Sequence, residues 1–206
     1  MERNAVRRAW DRVGDAYGDF RNADGPETAL FAAFAEPLEP GSRILDVGCG
    51  DGRRTAAHLV DEFVVLGMDF SRGQLDRLCE SVPAATPVQG DMTRLPVADA
   101  SVDGIVAYYS VFHVPRTQHQ TVYDEFARVC RPGGRLILTV SRQAHEGTRQ
   151  GWLRPDVEMF WSAPGREATM AELDDAGFDV VWARDVVDGL GETVHVALCE
   201  RREHEE

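Results

Sequence analysis

Residues 44–52, ILDVGCGDG, constrain the fold more than any other stretch of this chain. An apolar run from Ile44 to Val47 follows the turn residues 40–42, which predicts a short buried strand. Glycine then occupies every second position, and residues 55–60 favour a helix. Glycine adopts positive φ and has no Cβ, and a helix start offers unpaired N–H groups. A strand, a glycine turn and a helix in this order are typical of a nucleotide-binding site.

The spacing of the glycines separates two kinds of ligand. A dinucleotide fingerprint, G-x-G-x-x-G, counted from Gly48, requires glycine where this chain has Arg53. Glycine stands at Gly52 instead, which gives G-x-G-x-G with Asp46 two residues ahead of it. This pattern resembles the first motif of class I S-adenosylmethionine-dependent methyltransferases. For this stretch alone, a glycine-rich turn that binds no ligand is the alternative.

A second acid, Asp69, ends the apolar run VVLGMD and lies 21 positions after Gly48. An acid at the tip of the second strand can accept hydrogen bonds from both hydroxyls of a ribose, whether the ligand is NAD or S-adenosylmethionine. We therefore expect Asp69 to bind ribose and Phe70 to lie on the adenine face. A surface aspartate at a strand end is the alternative.

Residues 90–114 resemble the methyltransferase pattern more specifically. An acid follows the third predicted strand, a Leu-Pro loop comes next, and VDGIVAYY forms a fourth strand. The resemblance implies that Asp91 binds the exocyclic amine of adenine and that Met92 packs on the ring. It also implies that the segment from Tyr108 to Ser110 approaches the methionine end of the cofactor.

The resemblance extends closely over residues 43–141 and is to the small-molecule branch, the methyltransferase type 11 domain. It implies an α/β fold with a Rossmann-like, doubly wound sheet of seven strands, the last one antiparallel, and an N-terminal helical lid. We expect a single domain over residues 1–206. Its parts are the lid at 1–40, a cofactor-binding core at 41–141, and an acceptor-side insertion with C-terminal strands at 142–206.

Helix and strand patterns alternate along the chain, which independently predicts a parallel sheet covered on both faces. Apolar residues from Val6 to Tyr17 recur at helical spacing and predict an amphipathic helix. Further strands are predicted at 64–68, 87–89, 102–109 and 135–140, and further helices near Leu30, from Ser71 and over 117–129.

The last third of the chain has a different character. Residues 142–165 show no clear periodicity and are expected to form an insertion above the sheet. Thr169-Met170-Ala171-Glu172 has the capping-box pattern and predicts a helix start, with Gly177 as its C-cap. Segments 179–187 and 193–200 predict two antiparallel strands.

The motifs and the resemblance together predict the site residues. S-adenosylmethionine is the expected cofactor, and its expected contacts are Tyr17, Arg21, Asp46, Gly48, Cys49, Gly50, Gly52, Asp69, Phe70, Asp91, Met92 and Tyr108. Tyr17 and Arg21 are included because an aromatic residue or an arginine of the lid often meets the cofactor carboxylate in such enzymes. As an alternative, Tyr17 only completes the apolar stripe of its helix.

His113, just past the fourth strand, is the candidate catalytic base, which would accept a proton from an O–H or N–H of the acceptor. A packing role for this histidine is the alternative. The aromatic residues form either an acceptor pocket or ordinary packing between lid and core; they are Tyr109, Trp152, Phe160 and Trp161.

Composition narrows the function classes. The formal net charge of −13 repels a phosphate backbone and disfavours a general nucleic-acid substrate. The 22 basic residues are all arginine, which suits a salt-loaded cytoplasm or, alternatively, a GC-rich genome. The four cysteines and six histidines are scattered, so no metal site is expected. No stretch reaches the roughly 18 apolar residues of a membrane span, and the charged N-terminus lacks a secretory signal. We therefore expect a cytoplasmic protein.

The expected function is methyl transfer to a small-molecule acceptor by in-line displacement at the sulfonium methyl. Two other classes stay open. A regulator that binds S-adenosylmethionine without transferring the methyl would keep every cofactor motif. A nucleotide-dependent oxidoreductase would share the strand, turn and acid, but Arg53 and the Asp91-Met92 pair disfavour it.

Overall fold

The computed structural model describes residues 3–20, 25, 28–188 and 191–203. Within these ranges the strands are β1 (Arg43–Val47), β2 (Val64–Asp69), β3 (Thr86–Gln89), β4 (Val102–Ala107), β5 (Cys130–Val140), β6 (His145–Gln150), β7 (Glu158–Ala163), β8 (Phe178–Val187) and β9 (Thr193–Arg201). The helices are α1 (Arg3–Phe20), α2 (Thr28–Ala35), α3 (Arg72–Ser81), α4 (His119–Val129) and α5 (Arg166–Asp175).

Seven of these strands form one sheet in the order β3-β2-β1-β4-β5-β9-β8, and β6 pairs with β7 separately. Strands β1 to β5 are parallel, whereas β9 runs antiparallel to both β5 and β8. The predicted seven-stranded α/β sheet with its last strand antiparallel is therefore confirmed. The strand order reverses between β1 and β4, and ligands of such sheets bind outside the carboxyl ends at that point.

Apolar side chains cover both faces of the parallel strands. Ile44 belongs to a buried cluster with Phe31 of α2 and Leu78 of α3. Its neighbour Leu45 points to the other face and joins a cluster with Phe126 of α4 and with α5. Strands buried on both faces read as near-continuous apolar runs, which is why the sequence predicted them well.

Helix α1 packs its apolar stripe on the β6–β7 hairpin. Val6, Ala9 and Val13 are buried against Met159 and Phe160 of β7. The amphipathic helix predicted from the spacing of these residues is therefore confirmed, and its partner is the hairpin rather than the main sheet.

Polar contacts hold α1 against the start of α3. Arg77 of α3 pairs with Asp15 at 2.5 Å, and its guanidinium occupies the space that a Cβ on Gly14 would need. Asp11 Oδ1 accepts a hydrogen bond of 2.6 Å from the Ser71 hydroxyl. As predicted, Ser71 caps α3, because its Oγ accepts the N–H of Gln74 at 3.2 Å. The position of α1 is thus fixed by apolar contacts on one side and polar contacts on the other.

Two predicted elements differ in the structure. The helix expected over 55–60 is only a short 3-10 turn, Ala56–His58. The Thr55 hydroxyl bonds to the buried Asp46 instead of capping a helix, and turns over residues 59–63 lead from the 3-10 turn to β2. The helix expected to start at Thr169 begins at Arg166, after Gly165 with φ of 94°. Thr169 lies inside that helix, so the capping-box prediction was wrong.

Residues 142–165, expected to form an insertion above the sheet, contain the β6–β7 hairpin, which the sequence did not predict and which is paired from His145 and Ala163 to Gln150 and Glu158. Every side chain of β6 is exposed. Such a strand has no alternation of apolar and polar residues, and this alternation is the signal by which strands are recognised in a sequence.

All four cysteines are free thiols. In the described ranges, no cluster of three or more His, Cys, Asp or Glu side chains is placed to hold a metal ion. None of the helices in those ranges has the length and apolar character to span a bilayer.

Candidate active site

A cavity of about 1040 Å³, counting its open mouth, lies at the carboxyl ends of the parallel strands, with side chains of α1 in its wall. It brings together most of the residues predicted from sequence, which are Tyr17, Gly48, Cys49, Gly50, Asp69, Phe70, Asp91, Met92, Tyr108 and His113. Asp46 and Gly52 lie behind this lining. Arg21 lies outside the described residues.

The glycine loop has the backbone conformation that its sequence predicts. Gly48, Gly50 and Gly52 have φ of 73°, 56° and 74°, a region that other residues adopt at a cost. A Cβ on Gly48 would clash with Ser110, and one on Gly52 with Leu78. Above Gly50 the nearest atom is 3.9 Å from the Cβ position. The outer glycines therefore allow close packing, whereas Gly50 leaves the cavity floor open.

Asp69 links the glycine loop to the start of α3. Its Oδ2 accepts the N–H of Gly50 at 3.0 Å, and its Oδ1 accepts the N–H of Ser71 at 2.8 Å. Burial raises the pKa of Asp69 to about 6, although these N–H groups act in the opposite direction. Each carboxylate oxygen keeps a second lone pair, so both can accept a hydrogen bond from a ligand.

Asp46 supports the loop from below. Its side chain is 1% exposed and accepts a hydrogen bond from Thr55 Oγ1. Burial raises the pKa of Asp46 to about 7; the Thr55 bond lowers it, and the negative charge of Asp69 raises it further. Asp46 is not among the residues that line the cavity, whereas Thr55 is, so Asp46 is connected to the cavity wall through its contact with Thr55.

The end of the cavity near β3 carries the predicted adenine residues. Asp91 Oδ1 accepts the N–H and the hydroxyl of Thr93, at 3.0 and 2.8 Å, while Oδ2 pairs with Arg3 of α1. Met92 and Phe70 line the wall beside it. The lid helix thus contacts the same carboxylate that the sequence assigned to adenine.

The opposite end lies beside the tips of β1 and β4. Tyr108 is buried, and Tyr109 has an unusual φ of 57° with its N–H bonded to Thr139 Oγ1 at 2.9 Å. The Arg54 guanidinium lies 5.3 and 5.4 Å from the centres of these two tyrosine rings. Burial raises the pKa of the Cys49 thiol well above its usual value, so this thiol stays protonated.

His113 has a defined tautomer. Its Nδ1 lies 2.8 Å from the carbonyl oxygen of Phe160, which can only accept, so Nδ1 carries the proton and Nε2 the lone pair. Burial lowers the pKa of His113 to about 4, although the hydrogen bond with the Phe160 carbonyl raises it, and no charged side chain among the described residues opposes the effect of burial. The imidazole is therefore neutral at physiological pH and can accept a hydrogen bond.

The aromatic residues divide into two groups. Trp10 and Tyr17 of α1 line the cavity together with Tyr109. Trp10 meets the edge of His113 at 5.2 Å and that of Trp152 at 5.3 Å between ring centres. Phe160, Trp152 and Trp161 pack around α1 behind the cavity wall. In the structure, these three side chains contribute to the packing between α1 and the β6–β7 hairpin.

Sequence reasoning missed several cavity residues, among them Arg3, Arg7 and Arg54, whereas it did place the segment from Tyr108 to Ser110 near the cofactor. The Ser110 hydroxyl oxygen is buried and has no hydrogen-bond partner among the described residues. Trp10 had a usable signal, because it shares the helical stripe of Tyr17. Arg3 and Arg54 had none, since arginines are frequent throughout this chain.

Comparisons with known proteins agree with this geometry. A family profile described as a methyltransferase domain matches residues 44–134. A phosphatidylethanolamine N-methyltransferase of Cereibacter sphaeroides is 33% identical over 144 residues, covering 67% of this chain and 68% of the relative. A tRNA (carboxymethyluridine(34)-5-O)-methyltransferase of Arabidopsis thaliana is 29% identical over 149 residues, covering 72% of this chain and 35% of the relative.

Among solved structures, the 1,6-didemethyltoxoflavin-N1-methyltransferase of Burkholderia thailandensis, determined with 1,6-didemethyltoxoflavin and S-adenosylhomocysteine bound, superposes with a TM-score of 0.75. It is 17% identical, and the match covers 97% of this chain and 88% of that one. The first curated relatives are longer proteins, of which the matched region covers 31–40%.

Proposed function

Because this chain belongs to the class I S-adenosylmethionine-dependent methyltransferases, we propose that it transfers the methyl group of this cofactor to a small-molecule acceptor. The observation that carries the proposal is the cavity itself. In it, an open glycine loop, an acid at the tip of β2 and an acid after β3 face a neutral histidine under α1.

The residues present suit the cofactor. The space above Gly50 would be reduced by any side chain, which fits the close approach of a ligand to the backbone. The buried hydroxyl of Ser110 has no hydrogen-bond partner among the described residues, and a buried polar group of this kind calls for one. Asp69 would accept the ribose hydroxyls, and Asp91 with Met92 would hold the adenine.

S-adenosylmethionine supplies an activated methyl group on sulfur, so the chain's main task is to place an acceptor in line with it. Positioning alone can supply roughly 7–11 kcal/mol of the barrier. Under the proposal, Trp10, Tyr17 and Tyr109 confine the acceptor, and His113 Nε2 accepts the proton of its O–H or N–H. Burial lowers the pKa of His113, and none of the carboxylates in the described part of the chain pairs with it, so it is a weak base and suits an acceptor that needs little activation.

Two features support a small acceptor. Helix α1 forms one wall of the cavity, which leaves a confined space next to His113. The net charge of −13 opposes the approach of a polyanion. A regulator that only binds the cofactor is the alternative, and it is distinguished by the absence of any methylated product.

Two experiments test the proposal in sequence. Calorimetry compares S-adenosylhomocysteine with NAD, and we expect binding of the first only. Radiolabelled S-adenosylmethionine is then incubated with the protein and fractionated metabolite extracts, and the labelled product is identified. Tight NAD binding without a response to S-adenosylhomocysteine would contradict the proposal. Cofactor binding without labelled product in any fraction would favour the regulator.

A further inference from the structure

The loop between β3 and β4 carries the proposed adenine contacts, Asp91 and Met92, at its start. The later part of this loop folds back on them. The N–H of Arg94 donates to the carbonyl oxygen of Asp91 at 2.9 Å, and a ring carbon of Pro96 lies 2.9 Å from the position that a Cβ on Gly90 would take. A displacement of the later part of the loop would therefore move the cavity wall.

The Asp91 carboxylate has little freedom to compensate for such a displacement. Its Oδ1 accepts the N–H and the hydroxyl of Thr93 at 3.0 and 2.8 Å, and its Oδ2 pairs with Arg3. Because each carboxylate oxygen has two lone pairs, these contacts with described residues leave one lone pair of Oδ2 for an amine. Recognition of adenine by Asp91 therefore depends on the position of the backbone that carries it.

Two side chains of α4 hold the later part of the loop. Glu125 Oε2 accepts the N–H of Leu95 at 2.6 Å. Arg128 donates to the carbonyl oxygen of Leu95 at 3.1 Å and to that of Val97 at 2.9 Å. One N–H and two carbonyl oxygens of the loop are thus bonded to α4, and hydrogen bonds of this kind are directional.

Glu125 and Arg128 also bind each other. Arg128 Nε donates to Glu125 Oε1 at 2.7 Å, and Nη2 donates to Oε2 at 2.8 Å. Two parallel bonds of this type fix the plane of a guanidinium. The hydrogen bond from Arg128 lowers the pKa of Glu125, although burial acts in the opposite direction. The two side chains therefore present one oriented, ionised unit to the loop.

We infer that Glu125 and Arg128 are positioning residues for adenine recognition, which hold the loop where Asp91 can accept the exocyclic amine. This inference rests on the proposed function. Neither residue is among those that line the cavity, so their effect reaches the ligand through the backbone of Leu95 and Val97. They should therefore control the choice of base more than the affinity for the rest of the cofactor.

The test compares two ligands that differ at position 6 of the base. S-adenosylhomocysteine has an amine there, which donates, whereas S-inosylhomocysteine has a carbonyl oxygen, which an ionised carboxylate cannot bind. Calorimetry measures both ligands with the wild type, Arg128→Met and Arg131→Met. Arg131 is the matched control because it holds the far end of the same loop, through the carbonyl oxygen of Ala100 at 3.2 Å and the carboxylate of Asp103.

We expect the wild type to prefer S-adenosylhomocysteine by about tenfold to a hundredfold, the range for a hydrogen bond to a charged group. Arg128→Met should weaken this ligand by about three- to tenfold and S-inosylhomocysteine by less than about twofold, so the preference falls. Arg131→Met should keep the full preference. Glu125→Ala should act like Arg128→Met, and the double variant should add little, because the two side chains act as one unit.

Equal losses for the two ligands in Arg128→Met would show that Arg128 only supports the fold and would overturn the inference. An equal fall of the preference in Arg131→Met would overturn it too, since any loosening of the loop would then suffice. Arg128→Lys guards against a folding defect, because it keeps the charge without the planar fork and should fall between wild type and Arg128→Met.

The wild type separates the inference from the proposed function. If it binds neither ligand, the proposed function itself fails. If it binds both ligands equally, Asp91 does not recognise the amine, and the inference fails while cofactor binding stands. If the wild type and Arg128→Met show the same preference for S-adenosylhomocysteine, only the inference fails.

Discussion

The raised pKa of Asp69 predicts that cofactor binding is coupled to a proton. Burial holds this pKa at about 6, and only the ionised carboxylate can accept both ribose hydroxyls while it keeps its bonds to Gly50 and Ser71. Lowering the pH through 6 protonates Asp69 in the free protein. Binding must then release that proton, and the apparent affinity falls.

The size of this effect follows from the pKa. For one group that must be ionised, the apparent dissociation constant rises by the factor 1 + 10^(pKa − pH). With a pKa of about 6, this factor is about 1.1 at pH 7 and about 11 at pH 5. We therefore expect S-adenosylhomocysteine to bind about tenfold more weakly at pH 5 than at pH 7, a difference of about 1.4 kcal/mol.

Calorimetry at pH 5, 6 and 7 and constant ionic strength measures this dependence. Repeating the pH 6 titration in buffers of different ionisation enthalpy counts the protons released, for which we expect about one half. S-adenosylhomocysteine is the appropriate ligand because its sulfur carries no charge that would act on the nearby Asp46.

Asp69→Asn is the control for this prediction. Its amide offers one acceptor oxygen, and its NH₂ opposes the N–H of Gly50 or Ser71, so binding at pH 7 should weaken between about tenfold and a hundredfold. The dependence on pH should disappear. A pH dependence that persists in Asp69→Asn, or one that is absent from the wild type, would refute the assignment of this carboxylate to the ribose.

Three further predictions follow from the same structure. His113→Ala should lower turnover and leave the affinity for S-adenosylhomocysteine within about twofold of wild type. In the wild type, kcat at saturating cofactor should show no loss from histidine protonation between pH 8 and 6, because the pKa of about 4 keeps the imidazole neutral. A kcat that falls through pH 6.5 would contradict this. Gly50→Ala places a methyl group over the loop, so the affinity for S-adenosylhomocysteine should fall by at least about tenfold. Because residue 50 has a φ of 56°, alanine in this left-handed conformation should also lower the free energy of unfolding by about 1–2 kcal/mol, which denaturant unfolding measures. Arg77→Met removes the ion pair with the exposed Asp15, so stability should change by less than about 1 kcal/mol, while limited proteolysis within residues 3–20 becomes faster. An unchanged cleavage rate would mean that the Arg77–Asp15 pair does not help to hold α1.

The main sheet was predictable because its elements carry strong local signals. The parallel strands are apolar runs, and Ser71 and Gln74 lie at the spacing that lets one cap the other. The Thr169 motif has the same spacing but lies on a buried helix face, where Thr169 is 3% exposed and its side chain hydrogen-bonds Tyr123. A local sequence pattern cannot show that the Thr169 hydroxyl forms a tertiary hydrogen bond with Tyr123 instead of capping a helix.

The candidate site was predictable where its residues follow strands in sequence. Gly48 directly follows β1, Asp69 ends β2 and Asp91 lies two residues after β3, and such residues meet at one edge of the sheet. Arg3 was not found, because what identifies it is a contact across the fold. Arg3 is 88 positions from Asp91. Ser110 lay in a segment that the resemblance assigned to the cofactor, but the burial of its hydroxyl is visible only in the structure.

The contact between Asp11 and Ser71 links helix α1 to Asp69, the carboxylate proposed to bind the cofactor. Asp11 Oδ1 accepts the Ser71 hydroxyl, and the Ser71 N–H donates to Asp69, so one serine joins the α1 carboxylate to the carboxylate proposed to bind ribose. The negative charge of Asp11 also raises the pKa of Asp69. Movement of α1 would therefore change both the orientation and the proton affinity of Asp69. Such coupling is reciprocal. If closure of α1 over the cavity raised cofactor affinity by some factor, bound cofactor would favour the closed position of α1 by the same factor.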